Sequence, residues 1–153
     1  MLLCLYRVKY LGHLLIPEGI KPNETKVQAI LTMKEPTNVK QLKTLLKTCT
    51  WFRKCVQNFS GIVHPLTKLT RKHEPWSWGE DQRKVFDELK IKLTSSPILI
   101  QVDYLQFLVR TDASNHALGA ALMQVQSEHP DERVIEYASR LLTPAEQRYS
   151  TTE

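Results

Sequence analysis

Apolar residues recur at different periods along the chain, and each change of period predicts an element. Tyr6 to Ile16 alternates loosely and Pro17-Glu18-Gly19 is a turn signal, so a β-hairpin or strand pair is expected first. From Glu24 to Met33, Val27, Ile30 and Leu31 fall at helical spacing, and Pro36 stops that helix. The clearest pattern follows. Val39, Leu42, Leu45, Leu46, Cys49, Phe52 and Val56 form one stripe, predicting a continuous helix that starts at an Asn38 cap with Gln41 in a capping-box relation. Asn58-Phe59-Ser60-Gly61 is expected to end it, and Ile62 to Lys72 to form a short helix with Pro65 near its start. Trp76-Ser77-Trp78-Gly79 reads as a packed aromatic junction in preference to a base-stacking platform. Glu80 to Ser95 predicts a helix with acids in its first turn and Val85, Phe86, Leu89 and Leu93 on its buried side.

Beyond Ser95-Ser96-Pro97 the pattern becomes strand-like. Phe107 to Arg110, Leu118 to Gln124 and Val134 to Ala138 are the expected strands, and the polar run from Pro144 to Glu153 reads as the opening of a helix. The fold class expected is α+β.

Charge changes this picture more than composition does. The net charge is +5, with 42% hydrophobic and 24% charged residues, as in a globular chain. Residues 21–73 hold 11 Lys/Arg against Glu24 and Glu35, a net of +9, whereas residues 74–153 hold 8 against 13 acids, a net of −5. Lys40, Lys43, Lys47 and Lys54 fall opposite the apolar stripe, with Trp51 and Arg53 beside them, and Lys68, Arg71 and Lys72 extend the basic block. Such a row can follow a phosphate backbone, and it equally describes a solvated Lys-rich helix face. Cys4, Cys49 and Cys55 lack metal-binding spacing and are expected as buried, reduced thiols of an intracellular protein. No apolar run approaches the ~20 residues of a membrane span, and Met1 to Tyr6 lacks the marks of a signal peptide.

The candidate chemistry centres on Thr111-Asp112-Ala113-Ser114, which sets one carboxylate at the tip of an apolar strand. A second acid on a following helix would let the sheet gather carboxylates around Mg²⁺ for phosphodiester cleavage. Taken alone, Asp112 is an ordinary turn former, His116 an ordinary solvated histidine and Glu153 an ordinary helix-surface acid.

Several blocks in a fixed order resemble the reverse transcriptase and RNase H polyprotein of gypsy-type LTR retrotransposons. They include Tyr10-Leu11-Gly12-His13, Gly19-Ile20-Lys21-Pro22, Trp51-Phe52-Arg53-Lys54 and Pro65-Leu66-Thr67-Lys68-Leu69. Trp76-Ser77-Trp78, Thr111-Asp112-Ala113-Ser114, Tyr137-Ala138-Ser139-Arg140-Leu141-Leu142 and Tyr149-Ser150-Thr151-Thr152-Glu153 continue the series. The resemblance implies that residues 1–20 close the polymerase palm, with a primer-gripping hairpin at Leu11-Gly12. Residues 21–75 would be a helical thumb, 76–100 a tether, and 101–153 the first part of an RNase H-like domain that opens with three antiparallel strands and a helix.

It also implies an RNA–DNA hybrid or duplex as ligand and the rest of the Pol polyprotein as partner. Asp112 and Glu153 would be catalytic acids and Mg²⁺ ligands, although either acid of the family's Thr-Glu-x-Glu pattern is open as the ligand. The family's Tyr-x-Asp-Asp polymerase acids and its third RNase H acid are absent from the sequence. Three readings follow: part of an RNA-directed DNA polymerase and hybrid ribonuclease, a thumb and tether that bind nucleic acid without chemistry, or an inactive retroelement remnant that binds non-specifically at most.

Overall fold

The computed structural model describes residues 6–95, 97, 99–100, 106–126 and 129–149, and for 126 and 129–131 the backbone alone. Cys4 and Glu153 lie outside the described residues. The N-terminal stretch is a three-stranded antiparallel sheet rather than a simple hairpin, with β1 (Val8–Tyr10), β2 (His13–Ile16) and β3 (Gly19–Pro22) in that order. Leu11 and Gly12 join β1 to β2 with φ of 45° and 79°, the positive values that a two-residue hairpin turn demands.

Two helices follow as the spacing predicts, each shorter than expected. In α1 (Glu24–Leu31) the Asn23 side chain accepts from Thr25 N at 3.0 Å. In α2 (Val39–Thr50) the Asn38 side chain accepts from Gln41 N at 2.9 Å, while Gln41 Oε1 accepts from Thr37 N instead of Asn38 N. The stripe buries Leu42, Leu45, Cys49, Phe52 and Val56, with Leu46 half-buried.

The helix itself does not run to Val56. It stops at Thr50, where the Thr44, Thr48 and Thr50 hydroxyls bond back to carbonyls four residues earlier, and a 3₁₀ turn over Arg53–Cys55 follows. Tightening to i+3 bonds, with Phe52 N to Cys49 O at 3.0 Å and Cys55 N to Phe52 O at 2.9 Å, keeps Phe52, Cys55 and Val56 buried while redirecting Arg53 and Lys54. Asn58-Phe59-Ser60-Gly61 does not end a helix either. Asn58 at φ 50° precedes a new short one, α3 (Phe59–Ile62), and α4 (His64–Lys68) follows with Pro65 in its first turn.

These pieces and α5 (Glu80–Thr94) share one core built from Ile30, Leu42, Leu66, Phe86, Leu89 and Leu93, among others. Trp76 and Trp78 stack on each other with ring centroids 5.9 Å apart and pack against it, as a junction. Trp78 Nε1 and Arg83 Nε both donate to Glu35 Oε2, at 2.8 and 3.2 Å, which pins the start of α5 to the loop after α1. Burial drives the Cys49 thiol up to about 12 and, with Glu136 adding to it, the Cys55 thiol up to about 11. Both are thus inert neutral thiols at physiological pH.

The second sheet contains β4 (Phe107–Ala113), β5 (Ala117–Gln126) and β6 (His129–Leu141) in that order, all antiparallel, and each strand is longer than its apolar run suggested. Among the described residues β4 pairs only with β5, and all seven of its residues are exposed. Residues 99–100 link the two sheets. Leu99 bridges Ile20 through bonds of 2.7 and 2.8 Å, and Ile100 N donates to Val134 O at 2.9 Å. Of the expected C-terminal helix, the described residues show a 3₁₀ turn at Glu146–Arg148, introduced by Thr143 and Glu146, which hydrogen-bond each other through backbone and side chain. Among the described residues no helix is long and apolar enough to cross a membrane.

Candidate nucleic-acid interface and acidic site

The amphipathic helix α2 turns Lys40, Lys43 and Lys47 outward, opposite its buried stripe. Among the described residues none of the three joins an ion pair within 4.0 Å. The row ends at an open cleft of about 440 Å³ lined by Lys47, Trp51, Leu11, Gly12 and Lys26. Trp51, 56% exposed, donates its indole N–H to Leu11 O at 2.9 Å, so one edge of the ring is fixed and much of its face is left to solvent. A methyl group at Gly12 would lie 2.8 Å from that nitrogen, so the glycine permits both the turn and the close approach of the indole. The hairpin turn and the Lys row are thus brought together. Sequence reasoning placed Trp51 beside the basic face but missed Lys26, whose role depends on how α1 packs beside α2.

The other cations go elsewhere. Leaving helical phase at Thr50 turns Arg53 and Lys54 toward the second sheet, where Arg53 Nη2 donates to Ser139 O at 3.1 Å and Lys54 pairs with Glu136 at 3.1 Å. Lys68 lies 3.7 Å from Glu74, and Arg71 and Lys72 are exposed in the segment after α4. The contact between helices and sheet is completed by Ser60, whose N–H donates to Ser139 Oγ at 2.9 Å and whose hydroxyl donates to Ser139 O at 3.0 Å.

Asp112 lies inside β4 rather than in the turn, opposite Gly119, which in turn faces Ser139. The turn function that its sequence suggested falls to Ser114, whose Oγ accepts from Ala117 N at 3.1 Å. Asp112 is exposed and lines two cavities. One, of about 220 Å³, also contains Asn58, Thr111, Gly119 and Tyr137, and the other, of about 660 Å³, contains Arg53, Ser139 and Arg140. Arg140 is held by Glu146 through bonds of 2.9 and 2.7 Å, and this pairing, with Thr143 donating, draws the Glu146 carboxyl down to about 2. Among the described residues no three His, Cys, Asp or Glu side chains gather where a metal could sit, and Glu153 lies outside them. Asp112 alone is not the donor set that Mg²⁺ requires.

Comparison with known proteins fits this geometry. The family described as the RNase H-like domain found in reverse transcriptase matches residues 78–153. The retrovirus-related Pol polyprotein from transposon opus of Drosophila melanogaster is 36% identical over 96% of this chain, which spans 16% of that relative. The transposon Tf2-3 polyprotein of Schizosaccharomyces pombe is 31% identical over 96% of the chain, which spans 11% of it. Among solved structures, a foamy viral protease–reverse transcriptase in complex with RNA/DNA hybrid superposes with a TM-score of 0.79 at 22% identity, covering 96% of this chain and 20% of that one. The same protein in complex with dsDNA gives 0.80 at 23% identity, covering 97% and 31%. Residues 78–153 are therefore an RNase H-like segment of the reverse transcriptase kind, in a chain homologous over nearly its whole length to part of retroelement Pol polyproteins.

Proposed function

We propose that the chain is the thumb and tether of a gypsy-type retroelement reverse transcriptase, running from the end of the palm into the start of the RNase H-like domain. On this reading residues 1–20 close the palm, 21–75 form the thumb, 76–100 the tether and 101–153 the RNase H-like part. Its own work is to hold an RNA–DNA hybrid or duplex by the backbone. The observation that carries this is the solvent-facing row Lys40, Lys43 and Lys47, free of ion pairs among the described residues and leading into the cleft of Lys26, Trp51, Leu11 and Gly12. Three ammonium groups on one helix face meet successive phosphates, and the exposed indole offers an apolar surface to sugars or bases at the end of the row. The hybrid and dsDNA held by the solved neighbours support the same ligand class. The low share of each relative that the chain spans supports a larger polyprotein as its partner.

Asp112 is the first carboxylate of the RNase H-like centre in this reading, with Glu153 as the next and Mg²⁺ as the ion they would share. Arg53 and Lys54 serve the junction with the sheet rather than the phosphates.

The salt dependence of hybrid binding tests the assignment. Replacing Lys40, Lys43 and Lys47 together by Gln is expected to flatten the slope of log K against log salt by roughly 2 to 3 units, about 0.9 for each phosphate no longer neutralised. Replacing Arg53 and Lys54 by Gln should leave the slope as it was. An unchanged slope in the triple variant would sink the proposal.

A further inference from the structure

Two histidines face each other across the junction between helices and sheet. His64, at the start of α4, stacks its ring on His116 of the β4–β5 turn, with centroids 4.8 Å apart and planes 15° from parallel. His116 belongs to the sheet through its carbonyl, which accepts from Leu142 N at 2.8 Å. Stacking of this kind suits neutral imidazoles and is opposed when both carry protons.

The surroundings decide how readily a proton is accepted. Lys68 and Arg71 lie near His64 on its own segment, and Lys84, Glu74 and Asp81 line the cavity beside it, with Glu74 paired to Lys68 at 3.7 Å. Burial first, then His116, Arg71 and Lys68, holds His64 below the ordinary histidine range. The junction is also held by Ser60 and Arg53, which both donate to Ser139, and by the Lys54–Glu136 pair.

We propose that the His64–His116 stack is a proton-sensitive contact that loosens the docking of the β4–β6 sheet on the helical unit as the medium acidifies. The sign follows from His64 binding its proton less readily when docked. Docking is at full strength above the ordinary histidine value of about 6.5 and weakens as pH falls through it. It levels off once His64 is protonated in the docked state as well.

The test is amide hydrogen exchange at Ser60, whose N–H is held by Ser139 across the junction, compared at about pH 7.5 and about pH 5.5 after correction for intrinsic rates. Protection is expected to fall severalfold at the lower pH, following the His64 ring titration seen by NMR. It should become insensitive to pH in His64→Phe and less sensitive in His116→Asn, which removes the stacked ring. The second position is exposed in a turn, so that variant carries the test if His64→Phe fails to fold. Protection unchanged in the wild type while His64 takes up its proton would overturn the proposal, as would a pH dependence undiminished in His116→Asn.

Discussion

Asn58 is the most constrained residue of the junction. It sits at φ 50°, its side-chain Oδ1 is buried without a hydrogen-bond partner among the described residues, and a methyl group at Gly61 would lie 2.5 Å from that oxygen. Asparagine tolerates the left-handed backbone better than most residues, but glycine does so at no steric cost. Gly61→Ala is therefore expected to cost about 1–3 kcal/mol in a wild-type background by displacing Asn58. Asn58→Gly should relieve most of that penalty, since it removes both the obstacle and the unpaired oxygen. Thermal unfolding of the two single variants and the double one checks this, and strictly additive effects would show that the residues do not press on each other. The sequence marked this stretch as a break, because Asn and Gly punctuate helices. It could not show that the break begins a new helix packed on a sheet through Ser139, 79 residues from Ser60.

At the scale of elements, periodicity located helices and strands well and their ends poorly. The stripe from Val39 to Val56 is a true record of burial, since every member beyond Thr50 that faces the core is buried. A 3₁₀ turn keeps that register for apolar residues while shifting the intervening charges. For this reason Arg53 and Lys54 left the face that an unbroken helix would have given them. Strand β4 carries the opposite lesson. Its apolar run stood out in the sequence, yet Phe107 is 51% and Val109 61% exposed, on a strand with one described neighbour. An apolar unpaired edge is a template for association. The 153-residue chain is expected to self-associate at rising concentration, and Val109→Lys to suppress this without loss of fold, as read by light scattering and circular dichroism. Equal association in both proteins would show that β4 is not the adhesive edge.

For the whole molecule, the order of elements was legible because motifs and hydrophobic periods agreed along nearly the entire chain. The packing of the sheet against the helices was not, since it rests on Ser60, Ser139 and Arg53, whose patterns marked a break, a family block and a basic row but not that they meet. The proposed acidic centre rests on one described position only. Asp112 occupies a defined place in the sheet, but the described residues bring no third acid or imidazole to it. The chain alone is expected to show no Mg²⁺-dependent cleavage of an RNA–DNA hybrid. Activity should emerge only on extension beyond Glu153 along the sequence of its relatives, and should be lost again with Asp112→Asn. Cleavage by the extended chain that survives Asp112→Asn would remove Asp112 from the centre. Cleavage by residues 1–153 alone would show that the acids outside the described residues suffice.

The row Asp112–Gly119–Ser139 crosses the sheet from its open edge to the strand clasped by Ser60 and Arg53. Two strand spacings, about 9.5 Å, separate the acid's backbone from that clasp, and both are held by hydrogen-bonded ladders. The ruler between the helical unit and the carboxylate is therefore the width of the sheet, and the covalent path between them plays no part in it. The demand to keep acid and helices in step then falls on the small residues at 119 and 139.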